Sequence, residues 1–494
     1  MNKVVIIGAG LGGLSAAISL AVKGFHVTVI EKNSHAGGKL MPVKLGDYSF
    51  DFGPNTITMP EIFQEVVQLA GENPNDYFTF QKIEQHTRNI SHSGDVFDLS
   101  SNRDYMIEQL QKMDAKGAAN YDLFLKDIAG LYELGRTYFF RKTFTSKKDF
   151  FSPKLGLAFL KVKPFQTMDS FFKQYFSNPF ILQVLNRYAT YIGSSPYITP
   201  ATFSLIAYLE LAQGVYYTRG GNVKIAQGFY DVAKKLGVNF YFNEKVTKVH
   251  VRNKRAMSVE TDGGNVLEAD EVVMNADLLH AYPELVQEVD RPNFTNKQAE
   301  SYEPSISAFV ILAGTKSRNE SLLHHTVYFS SDYKKEFNEL FQKKQFPSEP
   351  TVYISNSSVT DRSQSLVGDN LFILANAPAT KVGECRDDLM YEQYKDKIYS
   401  ILEDKGLSLS NEVVKEKIIG PHDIQTTFGA YRGALYGIAS NKKMDAFFRP
   451  SNKAKDIENI YFAGGSTNPG GGSPMVTLSG LNVANLVASK YVNT

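Results

Sequence analysis

The sequence predicts an α/β protein, and three observations carry that prediction. A β-branched run at residues 4–7 leads into Gly8, Gly10 and Gly13, then into an apolar helix and a second strand. Near the other end, Asn459-Ile460-Tyr461-Phe462 reads as a strand, followed by a glycine-rich turn and a helix through Val483-Ala484. Between these ends lie a mostly helical stretch, about 101–215, and strand-like runs across 305–415. A length of 494 residues exceeds one simple core and suggests two or three interleaved domains.

The amino-terminal elements each have a physical reason. Val4-Val5-Ile6-Ile7 suits a strand buried on both faces of a parallel sheet. In the spacing G-x-G-x-x-G, Gly8 permits the tight turn and Gly10 lets backbone approach a pyrophosphate. Gly13 lets the helix lie close to the sheet. Residues 14–21 continue as a helix whose free N–H groups face the phosphates. Residues 27–30 form the second strand, and Glu31 sits where a carboxylate accepts hydrogen bonds from a ribose. Strand, turn, helix and acid together predict a Rossmann-like dinucleotide-binding domain. Just beyond, His35-Ala36-Gly37-Gly38-Lys39 resembles the extended motif of flavoproteins of the amine oxidase and phytoene desaturase superfamily. The resemblance implies FAD, with Gly38 and Lys39 near its pyrophosphate and ribityl chain.

Composition narrows the function classes. A hydrophobic fraction of 43% and a charged fraction of 21% are ordinary for a soluble protein. With a net charge of +1 and no long basic tract, no nucleic-acid partner is expected. The single cysteine, Cys385, lies in a polar run and excludes an internal disulfide framework or a cysteine-based zinc site. No signal peptide and no run near the ~20 apolar residues of a membrane span are evident, so a cytoplasmic protein is expected.

The middle of the chain is read in order. Phe50-Asp51-Phe52-Gly53-Pro54 ends a hairpin strand in a tight loop and matches the F-D-x-G-P segment of the desaturase family. There it lies beside the flavin, which brings in Gly53 and Pro54. Asp51 is either a polar ligand of the cofactor region or a turn-forming carboxylate. Residues 59–71 have helical spacing, with Pro60 in the first turn. Thr79-Phe80-Gln81 and Val96-Phe97-Asp98 read as strands flanking the Ser93-Gly94-Asp95 turn, where an antiparallel domain begins. Residues 142–151 are basic and aromatic, and 155–163 form an apolar run edged by lysines. Such a segment suits either the core face of a helical cap or a membrane interface. His324-His325 is read as non-metal, because adjacent histidines on a strand point apart; no metal site is expected.

Arg187-Tyr188-Ala189-Thr190-Tyr191-Ile192-Gly193-Ser194-Ser195-Pro196-Tyr197, followed by Gly220-Gly221, resembles bacterial carotenoid desaturases. So does the tail, Tyr461-Phe462-Ala463-Gly464-Gly465-Ser466 through Pro469-Gly470-Gly471-Gly472-Ser473-Pro474-Met475. The helix after this turn can aim N–H groups at the FAD diphosphate and pyrimidine oxygens, which involves Gly464, Gly465, Gly472 and Met475. By resemblance, the backbone of Val246 touches the adenine, and Asn275-Ala276 approach the cofactor. The resemblance runs from Val4 to about Ala488. It implies an interleaved FAD-binding α/β domain, a mixed-sheet substrate domain and a helical lid. The chain divides accordingly into 1–75, 216–300 and 421–494 for FAD, 76–215 for the lid and 301–420 for the substrate sheet.

The implied reaction is two-electron oxidation of a long apolar carotenoid polyene by a peripheral enzyme of the cytoplasmic membrane. Quinone or dioxygen is the expected electron acceptor. No catalytic residue is assigned: Asp51, Arg187 and Tyr431-Arg432 also fit structural ion pairs or caps. Carotenoid desaturation is the leading expectation, with terminal-methyl oxygenation close behind. A flavin amine oxidase is the alternative of another class. It is disfavoured by the missing aromatic cage, by the carotenoid-like middle of the chain and by Ser466, which stands where an acid is usual there.

Overall fold

The computed structural model describes residues 2–145, 163–442, 445 and 448–491. Its centre is a five-stranded sheet in the order Ile460–Phe462, Glu271–Met274, Lys3–Ile7, His26–Glu31, Asn239–Phe242. Every pairing in it is parallel. Val4, Val5 and Ile6 are buried on both faces, as an unbroken β-branched run requires. The sheet is therefore assembled from three distant stretches of chain.

Helix Leu11–Val22 packs between helices Val223–Lys235 and Ser473–Ser489. Small residues set that contact. A Cβ on Gly480 would lie 2.0 Å from the Gly12 carbonyl oxygen, and Ser15 Oγ donates to the Thr477 carbonyl at 2.9 Å. On the other face lies a three-stranded antiparallel sheet of Val246–Arg252, Arg255–Thr261 and Val266–Glu268.

A second sheet has seven strands in the order Val413–Ile419, Ser307–Thr315, Asn370–Ala377, Val352–Asn356, His325–Tyr328, Gln85–Ile90, Val96–Ser100. It is mixed: His325–Tyr328 pairs parallel with Gln85–Ile90, and the other pairings are antiparallel. Tyr328, Val352 and Ile354 pack on the amphipathic helix Asp388–Asp404, and Val327 joins the core shared with the helical region. In that region Ala115–Gly135, Met168–Tyr175 and Pro179–Asn186 hold an aromatic cluster. Phe124 meets Phe171, Phe172, Tyr175 and Phe176 with centroids 5.0–6.5 Å apart.

One local expectation is corrected. The partner of Val96–Ser100 across the Ser93-Gly94-Asp95 turn is Gln85–Ile90, whereas Phe80–Ile83 pairs with Val215–Thr218. Gln85–Ile90 carries His86, Thr87 and Asn89, polar residues without a strand-like pattern that the surrounding sheet and helices bury. The basic and aromatic 142–151 stretch and the 155–163 run fall mainly on 146–162, outside the described residues. Among the described residues, no helix is long and apolar enough to cross a membrane.

Candidate cofactor and active site

A long cavity runs between the two main sheets, over the carboxyl ends of the parallel strands, where α/β folds place their ligands. At one end, the glycine turn is packed too tightly for side chains. Asn275 buttresses it, donating from Nδ2 to the Gly8 carbonyl at 3.2 Å and from its backbone N–H to Ile7 at 2.8 Å. A Cβ on Gly8 would lie 2.5 Å from the Asn275 carbonyl oxygen; one on Gly13 would lie 2.1 Å from that of Gly8. Gly13 thus closes helix on strand and does not line the cavity.

The second glycine loop docks on the first. Gly37 N–H donates to the Ala9 carbonyl at 2.8 Å, and a Cβ on Gly38 would lie 3.1 Å from Gly10 Cα. Lys39 is partly buried, and its Nζ donates to the carbonyls of Ala434 and Leu435 at 3.0 and 2.6 Å. Burial lowers its pKa to about 8. Gly53, at φ +110°, passes so close to the Lys39 carbonyl that a Cβ would lie 2.2 Å from it.

Glu31 is 5% exposed at the tip of its strand. Oε2 accepts from Ala9 N–H at 2.8 Å, and Oε1 accepts from the N–H and Nδ2 of Asn33 at 2.9 Å each. Its carboxylate thus pins the glycine turn while lining the cavity. Val246 lines the wall nearby, as do Gly464, Gly465 and Gly472 at the far turn.

Two features suit this end to a dinucleotide. Helices Leu11–Val22 and Ser473–Ser489 both begin at glycines, Gly10 and Gly472, with no side-chain cap and no acid in the first turn. Their first N–H groups are left for an anion, where the helix dipole adds attraction. The glycine backbone meanwhile leaves room for a diphosphate beside it. The residues present fit FAD.

The cavity wall includes Gly8, Gly10, Glu31, Gly38, Lys39, Gly53, Pro54, Val246, Gly464, Gly465 and Gly472, together with the anticipated Asn275 and Ala276. Met475 stands on the first turn of its helix, outside the wall. Asp51 caps a distant helix rather than a local turn, accepting from the N–H groups of Asn222 and Val223 at 2.8 and 3.1 Å. Arg432 Nε donates to the Thr380 carbonyl at 2.5 Å, a structural role. His324 and His325 come together instead of pointing apart, with ring centroids 4.5 Å apart. His324 precedes the strand His325–Tyr328, so strand alternation does not govern it.

Sequence reasoning missed the roof of the cavity. Phe372 and Leu374 reach it from the mixed sheet, Phe428 from the last turn of helix Pro421–Phe428, and Leu435 and Tyr436 from an irregular stretch. They carry no motif; only the stacking of the two sheets brings them over the glycine turns.

The family profile of flavin containing amine oxidoreductases matches residues 11–488. The chain is 36% identical to a 1-hydroxycarotenoid 3,4-desaturase of Flavobacterium sp., over 99% of each chain. It is 34% identical to a 4,4'-diapolycopene oxygenase of Methylomonas sp., over 97% of this chain and 96% of that one. Among solved structures, an oxidoreductase from Methanosarcina mazei superposes with a TM-score of 0.62 at 14% identity, covering 99% of this chain and all of that one. Putrescine oxidase superposes at 0.63 with 14% identity, over all of this chain and 99% of its own. Uncapped helix ends, a glycine floor and a match across nearly the whole chain place this protein in the flavin containing amine oxidoreductase family, as an FAD-dependent oxidoreductase.

Proposed function

We propose that the protein oxidises a long carotenoid-type polyene, introducing a double bond. The observation that carries this reading is the roof of the cavity. Phe52, Ala308, Val310, Phe372 and Leu374 line it beyond the glycine floor, so that end suits a hydrocarbon. The two carotenoid-acting relatives support the same substrate class.

Gly8, Gly10, Glu31, Gly38, Lys39, Gly53, Pro54, Val246, Gly464, Gly465 and Gly472 would hold FAD, with Gly13 closing helix on strand behind them. FAD, when bound, supplies two-electron oxidation. The protein's own residues position and exclude water: the helix N-termini bind the diphosphate, Glu31 orients the ribose, and the apolar roof keeps the polyene beside the cofactor in a dry site. Met475 acts through the first turn of its helix. Segments 1–75, 216–300 and 421–494 form the cofactor domain, with 76–215 and 301–420 forming lid and roof. A substrate that partitions into lipid calls for a peripheral position on the membrane, with quinone or dioxygen as acceptor.

Terminal-methyl oxygenation is the second reading, supported by 34% identity to the diapolycopene oxygenase. The test is to supply FAD-loaded protein in liposomes with a thirty-carbon polyene under labelled dioxygen, following absorption and product mass. Loss of hydrogen pairs with a red shift supports desaturation, and label at the chain end supports oxygenation. Unchanged polyene with quinone and dioxygen both present overturns both.

A further inference from the structure

The cofactor cavity is covered along one side by a segment with little regular structure of its own. Helix Pro421–Phe428 ends at Gly429, and the chain then runs through a short turn, Tyr431–Gly433, to Gly437. Gly429, Arg432, Gly433 and Gly437 all have positive φ, between +53° and +74°. Phe428, Ala430, Leu435 and Tyr436 line the cavity opposite the glycine turns. A dinucleotide on those turns therefore lies beneath the segment.

The two sides of the segment are held differently. Toward the roof, Leu435 N–H donates to the Ile306 carbonyl at 3.1 Å and Ser307 Oγ to the Gly433 carbonyl at 2.6 Å. Thr380 N–H donates to the Arg432 carbonyl at 2.9 Å. These are backbone and short hydroxyl bonds, and they keep the segment with the mixed sheet. Toward the floor, the bonds reach across from side chains. Lys32 Nζ donates to the Thr426 carbonyl at 2.8 Å, and Asn33 Nδ2 to the Thr427 carbonyl at 3.4 Å. Lys39 Nζ holds the carbonyls of Ala434 and Leu435, and Asp277 Oδ2 accepts from Tyr431 N–H at 3.0 Å. All four of these side chains line the cavity themselves.

Such an arrangement parts most readily at the floor. A side chain that swings away exchanges its bond for one to water, at a modest net cost each time. Glycines beside the turn absorb the backbone rotation that follows. We propose that Lys32, Asn33, Lys39 and Asp277 fasten the 426–437 segment over the cofactor, and that this seam opens to admit and release FAD. The inference rests on the cofactor site described above. It makes the four side chains positioning residues, which hold Leu435 and Tyr436 in the cavity wall.

A fastened cover has a kinetic signature that a simple ligand contact lacks. A residue that only binds the cofactor slows its release and leaves loading unchanged. A residue that fastens the cover slows both, and the equilibrium stays nearly where it was. Lys39 keeps a third N–H for the cofactor, so Lys32 separates the two roles more cleanly.

The test loads flavin-stripped full-length protein with FAD and follows flavin fluorescence during association, then during dissociation on dilution. Lys32→Met is expected to speed both by roughly tenfold, for one charged hydrogen bond, with the dissociation constant kept within about threefold. Backbone hydrogen exchange at 426–437 in the flavin-free protein is expected to rise in Lys32→Met and further in Lys39→Met. Faster release with unchanged loading overturns the proposal, because Lys32 would then be a cofactor ligand only. Rates unchanged in both directions overturn it too, as does equal hydrogen exchange in all three proteins. If a variant does not hold FAD, its hydrogen exchange alone decides. A wild type that never takes up FAD would overturn the cofactor reading, while faster exchange in Lys32→Met would leave the fastened segment standing.

Discussion

The floor and the roof of the cavity are built from different materials. The floor is backbone: two glycine loops pressed together, two uncapped helix ends, and one carboxylate, Glu31, holding the turn. The roof and lid are side chains from the mixed sheet, the helices and an irregular stretch, among them Phe372, Leu374 and Tyr436. A floor made of backbone tolerates almost no substitution, because a Cβ has nowhere to go. A roof made of side chains can be repacked, and that is where specificity resides.

The largest effect expected from this contrast is at Gly13. In Gly13→Ala the new Cβ would lie 2.1 Å from the Gly8 carbonyl oxygen, forcing helix and strand apart. A loss of about 3 kcal/mol of stability and of bound flavin is expected. Flavin absorbance per mole of purified protein checks it, and a fully loaded variant would show that the floor yields.

Glu31→Ala comes next. It leaves the Ala9 N–H and the Asn33 amide without their acceptor, as well as removing the ribose contact. FAD affinity should fall by about 10–100-fold, from the loss of about 1.4–2.8 kcal/mol of charged hydrogen bonding. Flavin titration of the stripped protein measures this.

On the roof side, Glu336 is buried, with Oε2 accepting from the Ser330 hydroxyl, the Thr351 hydroxyl and the Thr351 N–H at 2.8, 2.7 and 3.1 Å. Burial raises its pKa from 4.5 to about 7. The folded state thus binds this proton more tightly than the unfolded chain. The stability it contributes is complete below pH 4.5 and is lost as pH rises through about 7. Glu336→Gln should remove that decline and make the protein more stable than wild type at pH 8, by about 2 kcal/mol. Denaturant melts at pH 5 and pH 8 test the sign; a variant weaker at both values would refute it.

The smallest effect belongs to a glycine outside both regions. Gly24 has φ +85°, but no atom lies within 4 Å of its Cβ position. Gly24→Ala should cost only about 1 kcal/mol, from backbone strain, with flavin content unchanged. Flavin loss there as severe as at Gly13 would remove the distinction between close packing and conformation.

The same contrast explains what could be read before folding. Gly8, Gly10, Gly13 and Glu31 are specified by local spacing, since a strand, a turn and a helix follow one another in thirty residues. The tail turn is legible for the same reason. Asp51 was visible but its role was not, because its partners at Asn222 and Val223 come from far along the chain. Gln85–Ile90 was missed as a strand because its burial comes from neighbouring elements rather than from its own apolar alternation.

By itself, the sequence determined the α/β class and the nucleotide-binding ends, because glycine geometry and helix ends are properties of short segments, while its resemblance to a flavoprotein superfamily pointed to the flavin. The tertiary structure alone decided what lies opposite them. Parallel strands 3–7, 271–274 and 460–462 had to assemble before the glycine turns faced one another. The two sheets had to stack before Phe372 and Leu374 covered the floor.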